Sequence, residues 1–369
     1  MLTRIYIDNY RCFTNFEWKP GKLVLIAGRN GSGQSTLLSA LDDIQFVLAS
    51  CEVDKCLTDD DLTRWDTRPR QLFEIDARIA GEDYRYRLVV DRDATSGKAR
   101  IQEESLRTRA GSAALFEFAG GEVRLFTADG QISARFPADG ARSPLTIVPW
   151  NDHDLIARFM FALTLDCYLL APLPPALAAE STDEHLGLHR NAEDFVGWYR
   201  KRSGDSVRVG QLNQMLAKAL DGFVGLRLID SGRKAKLLQA VFASDTGSAR
   251  SRIETTYDFD ELSDGQRALI LLYALLAFGA ADRGTLCIDE PTNFVSLAEI
   301  EPWLRELEDR IERGDGQAFL ISHNPEVINR LWQGHGVIFE RDWNGPVRVR
   351  AMDESFGLPP AEVIARGAE

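Results

Sequence analysis

The sequence predicts an α/β fold in which a mostly parallel core sheet is joined to an antiparallel β lobe and a helical lobe. Three observations carry that expectation. The apolar runs "KLVLIAG", "TLCIDE" and "QAFLISH" read as strands buried on both faces, the kind that parallel sheets contain. Residues 72 to 137 alternate apolar and polar, with Gly, Asp and Asn between the runs, which is the pattern of antiparallel strands joined by short turns. From Asp152 to about Leu220 the pattern turns helical, including "NAEDFVGWYRKR" and "VGQLNQMLAKALDGF". The expected division is an N-terminal lobe over 1–150 and a helical insertion with a β-hairpin over 151–255. A C-terminal lobe over 256–369 completes it.

Taken in order, "LTRIYIDNYRCF" is strand material, and after a turn "KLVLIAG" runs into "GRNGSGQST". "STLLSALDDIQFVL" follows with apolar residues at helical spacing. Strand, glycine loop and helix form the context that a phosphate loop requires. Beyond the helical stretch, "GLRLIDSG" and "KLLQAVFAS" make a strand pair turning at "SGRKAK". "SDGQRALILLYALLAF" is a helix with Ser263 as its N-cap. "TLCIDE" ends in two acids, "EIEPWLRELEDRIE" is an amphipathic helix and "QAFLISH" ends in a histidine. A hairpin turning at Asn344-Gly345 and a short helix in "PPAEVIARG" close the chain.

A net charge of −13 makes the molecule as a whole repel nucleic acid and anionic membranes. A local basic groove stays open, because binding needs only a patch. Its candidates are Arg64, Arg68 and Arg70; Arg200, Lys201 and Arg202; and Arg233, Lys234 and Lys236. The scattered cysteines, with no secretory signal before them, read as reduced thiols of a cytoplasmic protein. Cys51 and Cys56 lack a second ligand pair, so a zinc site is not expected. The longest apolar run, from Ala268, is too short to span a bilayer, and no membrane partner is expected.

Four motifs point to nucleotide chemistry. In "GRNGSGQST", Gly28, Gly31, Gly33 and Ser35 stand where G-x-x-x-x-G-K-[ST] wants them, but Gln34 replaces the lysine. Backbone N–H groups over Asn30, Gly31, Ser32, Gly33, Gln34, Ser35 and Thr36, with the helix N-terminus, would face phosphates. The Ser35 hydroxyl would bind Mg²⁺. Gln34 can still donate a hydrogen bond, without charge. "LCIDEP" delivers Asp289 to the metal and Glu290 to the proton of an attacking water. "ELSDGQRALI" offers the Ser263 hydroxyl, the Gly265 amide and a helix N-terminus as an anion site, and "FLISHNPE" ends a strand in His323.

Together these resemble the phosphate loop, signature, Walker B and switch of an ABC-type ATPase, in that family's order and spacing. The resemblance implies a P-loop ABC-type ATPase head that uses ATP and Mg²⁺, with Glu290 and His323 catalytic and Asp289 and Ser35 on the metal. Ser263, Asp264, Gly265 and Gln266 would cap the γ-phosphate held by a second subunit. "IYIDNYRCFTNFEW" resembles the start of the SMC, Rad50 and RecF branch, which puts Arg11 near the nucleotide. No heptad pattern supports a long arm, so the chain is most similar to the compact AAA15/AAA21 group, as is its ending "FGLPPAEVIARG". No Q-loop is identified, Gln71 lying too early.

The resemblance implies a homodimer that sandwiches ATP head to tail and controls a separate effector, a nuclease or toxin, in phage defence. The stretch after His323 is too short for a fused TOPRIM nuclease, which puts the effector on another polypeptide. Two alternatives stand beside this: a RecF-like repair ATPase on duplex DNA, and a non-hydrolysing nucleotide-gated scaffold. Gln34 fits either a natural ATPase that lost turnover or a substituted site. The intact set of Ser35, Ser263, Asp289, Glu290 and His323 points to an engineered or recent change.

Overall fold

A computed structural model describes the chain except residues 94–95, 109–113, 128, 150–152, 246–251, 281–282, 315, 344, 352–358 and 367–369. It has two compact units, Met1–Asp166 with Leu331–Glu369, and Cys167–Arg330.

The first unit opens with β1 (Leu2–Asp8), β2 (Phe16–Trp18), β3 (Leu23–Gly28), α1 (Gln34–Leu48) and the short α2 (Val53–Cys56). Six further strands follow: β4 (Gln71–Ile79), β5 (Glu82–Arg92), β6 (Ala99–Thr108), β7 (Ala114–Ala119), β8 (Glu122–Phe126) and β9 (Ile132–Pro137). With β1 and β2 they form an eight-stranded sheet in the order β2-β1-β4-β5-β6-β7-β8-β9. Every neighbouring pair in it is antiparallel. Its alternation resolves as expected. Phe73, Ile75, Tyr86, Leu88 and Leu106 are buried, while Arg4 pairs with Glu74 across the strands at 2.7 Å and Arg87 pairs with Glu103. α3 (Asp154–Thr164) lays Phe159 against Tyr84 and Tyr86.

The second unit contains β10 (Cys167–Leu170), β11 (Glu180–Ser181), α4 (Phe195–Arg202), α5 (Ser206–Ala219), β12 (Phe223–Ser231), β13 (Ala235–Asp245) and β14 (Arg252–Asp258). It continues through α6 (Asp264–Ala277), β15 (Thr285–Asp289), α7 (Leu297–Arg313) and β16 (Gln317–Ile321). β10, β15 and β16 are parallel neighbours. β11, β12 and β14 each pair antiparallel with β13. Trp303 of α7 is fully buried, its indole N–H donating to the Leu272 carbonyl of α6.

After α8 (Pro325–His335), β17 (Gly336–Arg341), β18 (Val347–Arg350) and α9 (Pro360–Arg366) belong to the first unit. β17 runs parallel to β3, and β18 antiparallel to β17.

β10, β11 and β14 are among the elements that differ from expectation. The stretch expected to be helical to Leu220 is interrupted by β10, all four residues of which are buried in parallel pairing with β15. A short, fully apolar run carries no period to distinguish strand from helix. β14 was not expected either; backbone pairing with β13 holds it, and its Ile253 and Tyr257 are exposed. Asn344 of the expected hairpin, Asp152, and Phe356, Gly357, Leu358 and Gly367 of the tail lie outside the described residues.

Candidate functional site

The phosphate loop leaves β3 at Gly28 and enters α1 through Gly33. Gly31 and Gly33 take φ of +83° and +100°, the left-handed region that side chains disfavour. Gly28 has a second reason to lack a side chain: a Cβ there would stand 2.4 Å from the Phe339 carbonyl of β17 and 2.6 Å from Ser32 Oγ. At Gly33 it would meet Val347 at 2.7 Å and Cys12 Sγ at 3.1 Å. Glycine therefore lets the loop sit directly on β17, β18 and the N-terminal turn.

The helix end is left open. Gly33 offers α1 no side-chain cap, and the first turn carries no acid to oppose the positive end of the helix dipole. Ser32 and Gln34 are both 4% exposed, yet Ser32 Oγ and Gln34 Nε2 have no hydrogen-bond partner among the described residues. Leaving such groups unpaired costs about 1–3 kcal/mol each, and an anion at the helix end would relieve it. These orphans and the uncapped helix fit a phosphate group. Asn30, Gly31 and Ser35 are exposed and Thr36 is half-buried. A cleft of about 480 Å³ adjoins Gly28 to Ser32, walled by Phe339, Arg341, Trp343 and Arg350.

Arg11, at φ +48°, donates from Nε and Nη2 to Asp61 at 2.9 and 2.8 Å and lies 5.2 Å over the Tyr10 ring. Tyr10 is fully buried and its hydroxyl donates to Asp43 of α1 at 2.6 Å. Burial pushes the Asp43 carboxyl up to about 7. Gln71 is buried in scaffolding, donating to the Asn9 and Asp61 carbonyls.

In the second unit, parallel pairing of β15 with β16 puts Asp289 opposite Ile321. Glu290 and the Ser322–His323 pair leave the sheet side by side. Glu290 takes φ +55°, and its amide donates to the Ile321 carbonyl at 2.9 Å. Its carboxylate accepts from the His323 amide at 2.8 Å and the Ser322 hydroxyl at 3.4 Å. His323 Nε2 is 4.0 Å away. Burial raises the Glu290 carboxyl above its usual range, against the pull of the His323 amide and ring. Ser322 was missed in the sequence; nothing in "FLISHNPE" shows that its hydroxyl turns toward Glu290.

Ser263 caps α6 as expected, accepting from the Gln266 amide at 3.3 Å, and Gln266 reaches back to the Ser263 amide at 3.0 Å. Asp264 pairs with Arg267. Gly265 packs against the loop after Glu290; a Cβ there would lie 2.8 Å from the Phe294 carbonyl.

Most of the basic clusters are internally neutralised. Arg68 pairs with Asp8 and Asp66, Arg70 with Asp91, Lys201 with Glu184 and Lys236 with Asp230. Arg200 and Arg202 donate to backbone carbonyls, and Arg202 stacks 4.2 Å over Trp198. Arg64, Arg233 and Lys234 are exposed. Among the described residues no helix is long and apolar enough to cross a membrane, and no cluster of three or more His, Cys, Asp or Glu could hold a metal by itself. A Mg²⁺ at Ser35 or Asp289 would therefore take most of its ligands from a nucleotide and water.

The chain resembles an Smc head bound to the C-winged helix domain of ScpA, with a TM-score of 0.56 and 12% identity. The match covers 97% of this chain and 99% of that one. The fold is that of an SMC-type P-loop ATPase head. A second Smc head, with an extended coiled coil and bound to the C-terminal domain of ScpA derived from Pyrococcus furiosus, matches with a TM-score of 0.50 and 11% identity. It covers 95% of this chain and 96% of its own. Residues 182–329 match the AAA_21 family, "AAA domain, putative AbiEii toxin, Type IV TA system". No curated protein sequence matches the chain. The SMC-head fold is a likeness of the whole chain, while the AAA_21 model matches residues 182–329 of it.

Proposed function

We propose that this SMC-type head is an ATP-driven switch. Asn30 to Thr36 and Arg11 hold the phosphates of ATP. Ser35 and Asp289 hold Mg²⁺, which neutralises phosphate charge when bound. Glu290 accepts the proton of the attacking water and His323 contacts the γ-phosphate. Ser263, Asp264, Gly265 and Gln266 of a second copy cap that phosphate, so two copies close head to tail on two nucleotides and hydrolysis parts them. The output passes to a separate effector, a nuclease or toxin, in phage defence inside the cytoplasm. The naming of a toxin system in the AAA_21 description supports that last step.

The observation that carries the reading is the pair of buried, unpartnered atoms Ser32 Oγ and Gln34 Nε2 beside an uncapped helix end. The neutral Gln34 also favours a second reading, a nucleotide-gated scaffold that does not hydrolyse. The duplex-DNA reading draws less support, because most of its candidate cations already face carboxylates.

Steady-state Mg-ATP hydrolysis by the wild type and Gln34→Lys, with dimerisation followed by light scattering, tests this. Turnover by the lysine form alone, with ATP-dependent dimers in both, is the expected result. Dimers without turnover in either form favour the scaffold. No ATP binding by either form ends both readings.

A further inference from the structure

Resting on the reading of the phosphate loop as a nucleotide site, we propose that Asp43 and Tyr10 are positioning residues that hold Arg11 ready for a nucleotide phosphate. Asp43 lies in the third turn of α1, the helix whose first turn closes the loop. Its carboxylate accepts the hydroxyl of Tyr10, which is fully buried, at 2.6 Å. The Tyr10 ring then carries the Arg11 guanidinium on its face at 5.2 Å.

Asp61 takes the Nε and Nη2 edge, and the Arg11 amide donates to the Asp61 carbonyl at 2.8 Å. Nη1 keeps no partner among the described residues, and the side chain is 42% exposed. The following residue, Cys12, brings its sulfur against Gly33, where a Cβ would lie 3.1 Å from it, so the turn carrying Arg11 sits against the loop. An arginine has about 2 kcal/mol of rotamer entropy to lose on binding. A guanidinium already held on two sides has lost much of it beforehand.

The test is a double-mutant cycle on Mg-ATP affinity, measured by titration calorimetry with the full chain. Asp43→Ala and Tyr10→Phe are each expected to weaken binding about five- to tenfold. Asp43→Asn, which keeps an oxygen for the tyrosine hydroxyl, should restore most of the affinity. In an Arg11→Ala background Asp43→Ala should change nothing further. Tyr10→Phe loses one oxygen and keeps the packing, so it guards against a folding artefact. Wild-type binding with unchanged Asp43→Ala, or equal losses with and without Arg11, overturns the positioning role alone. No Mg-ATP binding by the wild type overturns it together with the nucleotide reading.

Discussion

At the phosphate loop two buried polar atoms, Ser32 Oγ and Gln34 Nε2, face no partner among the described residues, whereas at the end of β15 the chain itself holds both carboxylate oxygens of Glu290. The first site is built on glycines that let backbone approach backbone, and it is completed only by something from outside. The second is built on parallel strand pairing, and it keeps Glu290 at φ +55° through a bond to the Ile321 carbonyl and bonds from Ser322 and His323. A binding loop gains from unmet donors, because a ligand can supply the partners that the fold does not. A group that must act on a proton gains from being fixed beforehand.

That contrast can be broken at either end. The largest effect is expected from Glu290→Gln in a Gln34→Lys background: turnover should fall at least about 100-fold by phosphate release, with Mg-ATP affinity retained. Loss of affinity instead would make Glu290 part of the binding site. Gly28→Ala drives a methyl group into the Phe339 carbonyl and Ser32. It should abolish Mg-ATP binding and lower stability by about 2–3 kcal/mol in urea denaturation. Normal binding would show that the loop tolerates being lifted off β17. Gly265→Ala presses on the Phe294 carbonyl in the same way. A destabilisation of about 1–2 kcal/mol is expected, with a slower Gln34→Lys enzyme, since the displaced loop begins at Glu290.

The smallest effect sharpens the comparison with a buried acid that belongs to neither site. Glu104 of β6 accepts from the Tyr86 and Ser143 hydroxyls at 2.7 Å each, and burial pushes its carboxyl up to about 7. A raised acid holds its proton more tightly folded than unfolded. The stability it brings is complete below about pH 4 and is lost as pH rises through about 7. Wild type should therefore lose on the order of 1 kcal/mol relative to Glu104→Gln between pH 6 and 7, read as the shift in urea midpoints. Parallel midpoints would place the proton elsewhere.

Much was legible because it depends on local pattern. The alternation over 72–137 gave the antiparallel sheet, and Ser263 with Gln266 gave a real helix cap. The strand–loop–helix order at Gly28 to Ser35 gave the loop. What escaped depends on neighbours far along the chain. β10 is a strand because it lies against β15, and Cys12, Phe339 and Val347 line the loop only once β17 and β18 have returned to it. The Tyr10–Asp43 hydrogen bond likewise joins residues far apart in the chain.

By itself, then, the sequence determined the periodic elements and the glycine positions, because those follow from covalent geometry and from neighbours a few residues away. Tertiary structure alone decided which polar atoms stay unpaired, which basic residues are neutralised and where the carboxyls of Asp43, Glu104 and Glu290 titrate. Those properties are set by burial and by charges distant in sequence, and neither exists until the chain has folded.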